Sequence, residues 1–164
     1  MKAVKIKDII IGNGSKIAVQ SMLNVPTIDT DAAVSQIMRL ANAGCDIVRL
    51  AVPDNDSAEA MKTIVKKSPL PVVADIHFDY RLALKCIEYG VDKIRINPGN
   101  LGGEDRAAAV AKAAKAAGIP IRIGVNGGSL ERGLLEKCGG DLARAMVESA
   151  RGHIEILNRC DFDD

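Results

Sequence analysis

With 164 residues, the chain has room for about one domain with a buried core. An apolar share of 48% and a charged share of 26% exclude a disordered segment, and a net charge of +1 excludes the global basic field that draws proteins to nucleic acid. No apolar run approaches the roughly 18–20 residues of a membrane span, and Met1-Lys2-Ala3-Val4-Lys5 is no signal-peptide start, so a cytoplasmic protein without membrane or nucleic-acid partners is expected.

Val4, Ile6, Ile9 and Ile11 flank Gly12-Asn13-Gly14, which suits positive-φ turn positions, so residues 4–19 are expected to form a small hairpin. Residues 16–22 read as the first core strand. Thr30 is the expected N-cap of a helix to about Gly44, with Val34, Ile37, Met38 and Ala41 on one face. Strands follow at 46–52, 70–76, 92–97 and 120–125. Helices follow at 57–67, 80–89, 104–117 and 141–158, with Gly90 and Gly118 suited to end the second and third of these. Met38, Met61 and Met146 read as helix packing, and Lys62, Lys66 and Lys67 as a solvated helix face.

The alternation also repeats. Gly44-Cys45-Asp46-Ile47-Val48-Arg49 and Gly90-Val91-Asp92-Lys93-Ile94-Arg95 share a pattern 46 positions apart, which makes each βα unit about 23–25 residues long. Apolar strands that hardly alternate, each followed by a helix, specify a parallel sheet under helices. The fold class is therefore α/β: a partial TIM-type (β/α) barrel of about five βα units preceded by an N-terminal β-hairpin. Eight such units need ~200–250 residues, so residues 1–164 are expected to be an incomplete (β/α)8 domain with an unpaired strand edge, prone to association or instability in isolation. An open doubly wound sheet is the alternative, but the first βα junction, Ser21-Met22-Leu23-Asn24, lacks a glycine-rich phosphate fingerprint.

In a parallel barrel the C-terminal strand ends carry the chemistry. Residues two apart on a strand share a face, so Arg95 and Asn97 point one way, as do Asp75 with His77, and Arg122 with Asn126. Strand 1 ends near Gln20 and Met22, and strand 2 adds Arg49. Guanidinium groups grip phosphate oxygens in pairs and asparagine adds neutral donors, so three arginines against one aspartate point to a dianionic or diphosphate substrate. Asp75 is the one internal partner in reach. Asp46 and Asp92 lie three residues before Arg49 and Arg95, on the opposite strand face. His77 could donate to the ligand or simply be held by Asp75. Pro98-Gly99-Asn100-Leu101-Gly102-Gly103 and Gly127-Gly128-Ser129 resemble phosphate loops but lack a Walker lysine. Cys45, Cys86, Cys138 and Cys160 contain no CxxC pair and read as free thiols. Two Tyr, two Phe and no Trp leave no base-stacking surface.

Ala18-Val19-Gln20-Ser21-Met22, Asp46-Ile47-Val48-Arg49, the run 73–81 (VADIHFDYR), Arg95-Ile96-Asn97-Pro98-Gly99-Asn100 and Ile121-Arg122-Ile123-Gly124-Val125-Asn126 together resemble the barrel domain of the 4-hydroxy-3-methylbut-2-enyl diphosphate synthases. The resemblance runs through essentially the whole chain. It implies an oxidoreductase of non-mevalonate isoprenoid biosynthesis that opens the ring of 2-C-methyl-D-erythritol 2,4-cyclodiphosphate reductively. It further implies a [4Fe–4S] cluster whose ligands lie outside this chain, flavodoxin or ferredoxin as electron donor, and a homodimer. Arg49, Asp75, His77, Arg95, Asn97, Arg122 and Asn126 would be the substrate-contacting set, and the fragment alone would be inactive. The alternatives are a phosphate-binding barrel aldolase or synthase without redox chemistry and a non-catalytic fragment. An aldolase needs a Schiff-base lysine or metal carboxylates at a strand end, and neither is evident in the sequence.

Overall fold

The computed structural model describes residues 2–97 and 100–163. Two short strands, β1 (Val4–Ile6) and β2 (Ile9–Ile11), pair antiparallel with Ile6 opposite Ile9. The turn between them is therefore Lys7-Asp8, with Lys7 at φ 52°, and not Gly12-Asn13-Gly14. Those three residues, at φ 91°, 52° and 77°, instead redirect the chain after β2. A side chain at Gly12 would meet the Lys2 carbonyl oxygen at 2.9 Å, so glycine is needed there for space as well as for φ.

Five parallel strands follow: β3 (Gln20–Met22), β4 (Ile47–Ala51), β5 (Val72–Ile76), β6 (Lys93–Ile96) and β7 (Ile121–Ile123). They lie side by side in chain order, β3-β4-β5-β6-β7. A doubly wound sheet reverses its strand order at a switch point. This sheet never reverses; it is an arc of a (β/α) barrel, open among the described residues. Helices α1 (Thr30–Asn42), α2 (Asn55–Lys67), α3 (Tyr80–Glu88) and α4 (Glu104–Ala117) join consecutive strands, and α5 (Leu134–Lys137) and α6 (Leu142–Arg159) follow β7. The cap of α1 is Asp29, whose carboxylate accepts from Ala32 N–H; Thr30 is already helical. Asp54 does the same for α2, so that helix starts two residues before the expected Ser57.

The two faces of the arc differ sharply. Val48, Leu50, Val72, Ala74, Ile76, Ile94 and Ile96 bury themselves against Ile37, Met61, Ile64, Cys86 and Val110 of the helices. Met38, expected on that face, is 45% exposed, and Ala33 packs there instead. On the other face, Ile47 and Val73 form a small apolar cluster with Ile6 of the hairpin. The hairpin thus floors the concave side. Above that floor the inward positions turn polar.

The repeat noticed in the sequence has a structural basis. Gly44 and Gly90 both stand at φ 86°, and each is followed two residues later by an aspartate at a strand entrance. Asp46 donates its N–H to Val19 O (2.9 Å) and accepts Val19 N–H on Oδ2 (2.8 Å). Asp92 makes the same two-way clasp with Val72, at 3.0 and 2.8 Å. Asp46 and Asp92 are therefore employed, on the backbone of the preceding strand. The hydrogen bond from Val19 holds the Asp46 carboxyl below the usual carboxylate range.

Candidate functional site

Register converts the strand sequences into tiers on the concave face. Arg49 lies opposite Val73, and Val73 opposite Lys93, which makes the lower tier. Asp75, Arg95 and Arg122 are mutually opposite and make the next. His77, Asn97 and Gly124 continue the inward parity above them. Six of the seven sequence-derived residues thus fall in a contiguous band, with Asn126 at its upper rim.

Asp75 is the hub. Its side chain is fully buried, and it takes Arg49 Nε (3.0 Å) and Nη2 (2.8 Å) on Oδ2 and Arg95 Nη1 (3.0 Å) on Oδ1. His77 Nε2 lies 3.2 Å from Oδ2. The internal pairing weighed at the sequence level is therefore real for two of the three arginines. Arg95 is held further by donation from Nη2 to the Gly124 carbonyl (3.2 Å). Gly124 is required for space: a Cβ there would stand 2.5 Å from Arg95 Cζ. The guanidinium packs against the Gly124 backbone because that residue has no side chain.

Asn97, only 4% exposed, is tied to the loop after β7. Its Nδ2 donates to Ser129 Oγ (2.9 Å), and the Ser129 hydroxyl faces Asn126 Oδ1 at 3.0 Å. Asn126 Oδ1 also accepts Gly128 N–H (3.1 Å), so Gly127–Ser129 is a capped 3-10 turn and not a free phosphate cradle. The Asn126 amide nitrogen makes no described hydrogen bond. The loop is fastened in turn to α6: Glu131 Oε1 accepts Ser149 Oγ (2.9 Å) and lies 2.9 Å from His153 Nε2. Burial opposes ionisation of Glu131, but hydrogen bonds from its own N–H, Ser149 and His153 leave its carboxyl below the ordinary range. Ser129 was not singled out as a side chain from sequence. Its signal was position alone, three residues after Asn126. Replacing Ser129 with alanine leaves the buried Asn97 amide unpaired and is expected to destabilise the fold by about 1–3 kcal/mol. Urea unfolding reads this directly, and an unchanged midpoint would disprove the link.

Lys93 is the other residue the sequence reading passed over. It faces inward two residues before Arg95, is 9% exposed, and has no hydrogen bond or ion pair among the described residues. Burial first, and the Arg122 charge second, pull its ammonium below the ordinary lysine range. An inward lysine is thus present, at the entrance of β6 and not at its C-terminal end. Arg122 also lacks a described acidic partner. The concave face sets four cations against one carboxylate.

Of the loop 98–103, Pro98 and Gly99 lie outside the described residues. Arg106 Nη1 donates to the Leu101 carbonyl (3.3 Å), and the guanidinium lies over the Tyr80 ring. All four cysteines are free. Among the described residues no helix is long and apolar enough to cross a membrane.

The sequence matches the family described as GcpE TIM-barrel domain over residues 1–164. It is 56% identical over 163 residues to 4-hydroxy-3-methylbut-2-en-1-yl diphosphate synthase (flavodoxin) of Ruminiclostridium cellulolyticum, a match covering 99% of this chain and 46% of that protein. It is 60% identical over 154 residues to the protein of the same name from Idiomarina loihiensis, covering 94% and 41%. The chain spans less than half the length of these curated relatives. Among solved structures it resembles dihydropteroate synthase of Xanthomonas albilineans (TM-score 0.66, 14% identity, 98% of this chain and 63% of that one). A truncated 3-deoxy-D-arabino-heptulosonate 7-phosphate synthase of Thermotoga maritima is also similar (TM-score 0.62, 16% identity, 98% and 54%). At such identities these two speak for the barrel fold alone.

Proposed function

Because this chain belongs to the GcpE TIM-barrel domain family, we propose that it is the substrate-holding part of a 4-hydroxy-3-methylbut-2-en-1-yl diphosphate synthase. The substrate is 2-C-methyl-D-erythritol 2,4-cyclodiphosphate of non-mevalonate isoprenoid biosynthesis, and the reaction is its reductive ring opening. The supporting observation is the charge imbalance of the concave face, where Asp75 neutralises one of the charges of Arg49 and Arg95 and Arg122 stands without an acid. Arg122 is exposed and so open to a ligand, and guanidinium groups grip phosphate oxygens in pairs. Asp75 fixes Arg49 and Arg95 as a rigid frame. Arg122, the Asn126 amide and His77 are then the groups left to meet the ligand.

A [4Fe–4S] cluster does not fit the residues of this chain. Among those described, no three His, Cys, Asp or Glu side chains gather where they could hold a metal, and burial pushes the Cys86 thiol up to about 12, away from thiolate. The chain's own part is to bind and orient the anion. The relatives' names carry the qualifier flavodoxin. Electron delivery by flavodoxin to the longer protein, and its assembly as a homodimer, belong to the same proposal.

Calorimetry with the cyclic diphosphate tests it in the longer protein that carries this chain. Arg122→Ala is expected to weaken binding at least tenfold, about 1.4 kcal/mol, and Arg95→Ala by as much or more. Unchanged affinity in both variants would refute the proposal.

A further inference from the structure

We infer that Lys93 is a lower-tier contact for the diphosphate, taking one phosphoryl group from below while Arg122 takes the other from above. The inference rests on the diphosphate reading and extends it to a residue that reading does not use. Of the four cations on the concave face, Arg49 and Arg95 are both bound to Asp75. Lys93 and Arg122 have no such partner among the described residues, and they occupy adjacent strands at successive tiers. Two inward residues on β6 are separated by about 6.6 Å of rise, and a four-carbon stem lets an ammonium move over that range. The two charges already act on each other, since Arg122 is one of the influences that lower the Lys93 pKa.

The apolar cluster of Ile6, Ile47 and Val73, with Val73 directly opposite Lys93, offers no acid to either. Like charges on adjacent strands, the lysine buried and the arginine exposed, call for an anion that spans both. A diphosphate carries two anionic groups on one bridging oxygen, and a monophosphate carries one. Lys93 therefore also sets preference: it should matter more for diphosphate than for monophosphate ligands.

The test uses the longer protein, with inorganic diphosphate and inorganic phosphate as probes. Lys93→Met keeps the length and apolar stem of the side chain and removes the charge. It is expected to weaken diphosphate binding at least tenfold while changing phosphate binding less than threefold, and Lys93→Arg is expected to restore most of the loss. Chemical labelling of the unsubstituted protein gives an independent readout. The Lys93 amine condenses with the aldehyde of pyridoxal 5′-phosphate, releasing water, and hydride from borohydride fixes the imine as a secondary amine. Peptide mapping should find this label on Lys93, and diphosphate should protect against it.

Lys93→Met binding diphosphate like the unsubstituted protein overturns the inference, as does a Lys93 that stays unlabelled while surface lysines react. If Lys93→Met fails to fold, the labelling result decides alone. Arg122→Ala separates the two readings. Should it weaken diphosphate binding while Lys93→Met does not, only the role of Lys93 falls. Should neither variant change binding, and Arg95→Ala leave it unchanged as well, the diphosphate reading falls with it.

Discussion

Replacing Asp75 with alanine is expected to destabilise the fold by about 3–5 kcal/mol, because it strips the shared partner from two partly buried arginines. The Asp75 side chain has no exposure, and those of Arg49 and Arg95 are 22% and 11% exposed. The effect is thus mainly the penalty of uncompensated charge, more than the loss of two favourable contacts. Asp75→Asn should fall between, since its amide keeps the shape and one acceptor but returns no negative charge. Urea unfolding gives the measurement. A loss for Asp75→Ala below about 1 kcal/mol, the range of exposed pairs, would mean that Arg49 and Arg95 find water in the folded state and that Asp75 is no hub.

Gly124→Ala should damage the site through Arg95 without touching an ionisable group. The added methyl falls on the guanidinium, which is anchored at both ends by Asp75 and the Gly124 carbonyl and cannot simply swing aside. Overpacking of this kind destabilises by about 1–3 kcal/mol, and a displaced Arg95 should weaken diphosphate binding to the level of Arg95→Ala. The decisive comparison is a double-mutant cycle. In an Arg95→Ala background the methyl meets empty space, so Gly124→Ala should then be nearly neutral for both stability and binding. A full penalty in that background would mean that Gly124 serves backbone shape and not the arginine.

The site band was legible because strand periodicity is a local property. Arg95 with Asn97, and Asp75 with His77, share a face whatever the rest of the chain does. The same rule applied one step further back would have added Lys93. That residue was passed over because a lysine at a strand entrance usually sits in solvent, and only the neighbouring strands and the floor bury it. The fate of Asp46 and Asp92 was illegible for a different reason. Strand geometry correctly separated them from Arg49 and Arg95. Their true partners are backbone groups on another strand, and those are fixed by sheet register, which no single-strand pattern contains. The hairpin turn was misplaced because Gly12-Asn13-Gly14 is the stronger turn signal. Register puts the reversal at Lys7-Asp8, where a non-glycine residue adopts positive φ. Commitment of Asn97 to Ser129 likewise depends on a contact across 32 positions of chain.

The two aspartate clasps carry a consequence for how such sheets are assembled and altered. Slipping a strand by one position would turn its whole inward row toward the helices and bring the apolar row inside. A clasp opposes that slip just before the strand begins, by engaging both hydrogen-bonding groups of a single valine at the start of the neighbouring strand. For β3 with β4 and for β5 with β6, alignment is thereby decided between the two neighbours, with no reference to whether the ring is ever closed. The sheet is thus keyed in two-strand modules, each of which carries its own alignment with it.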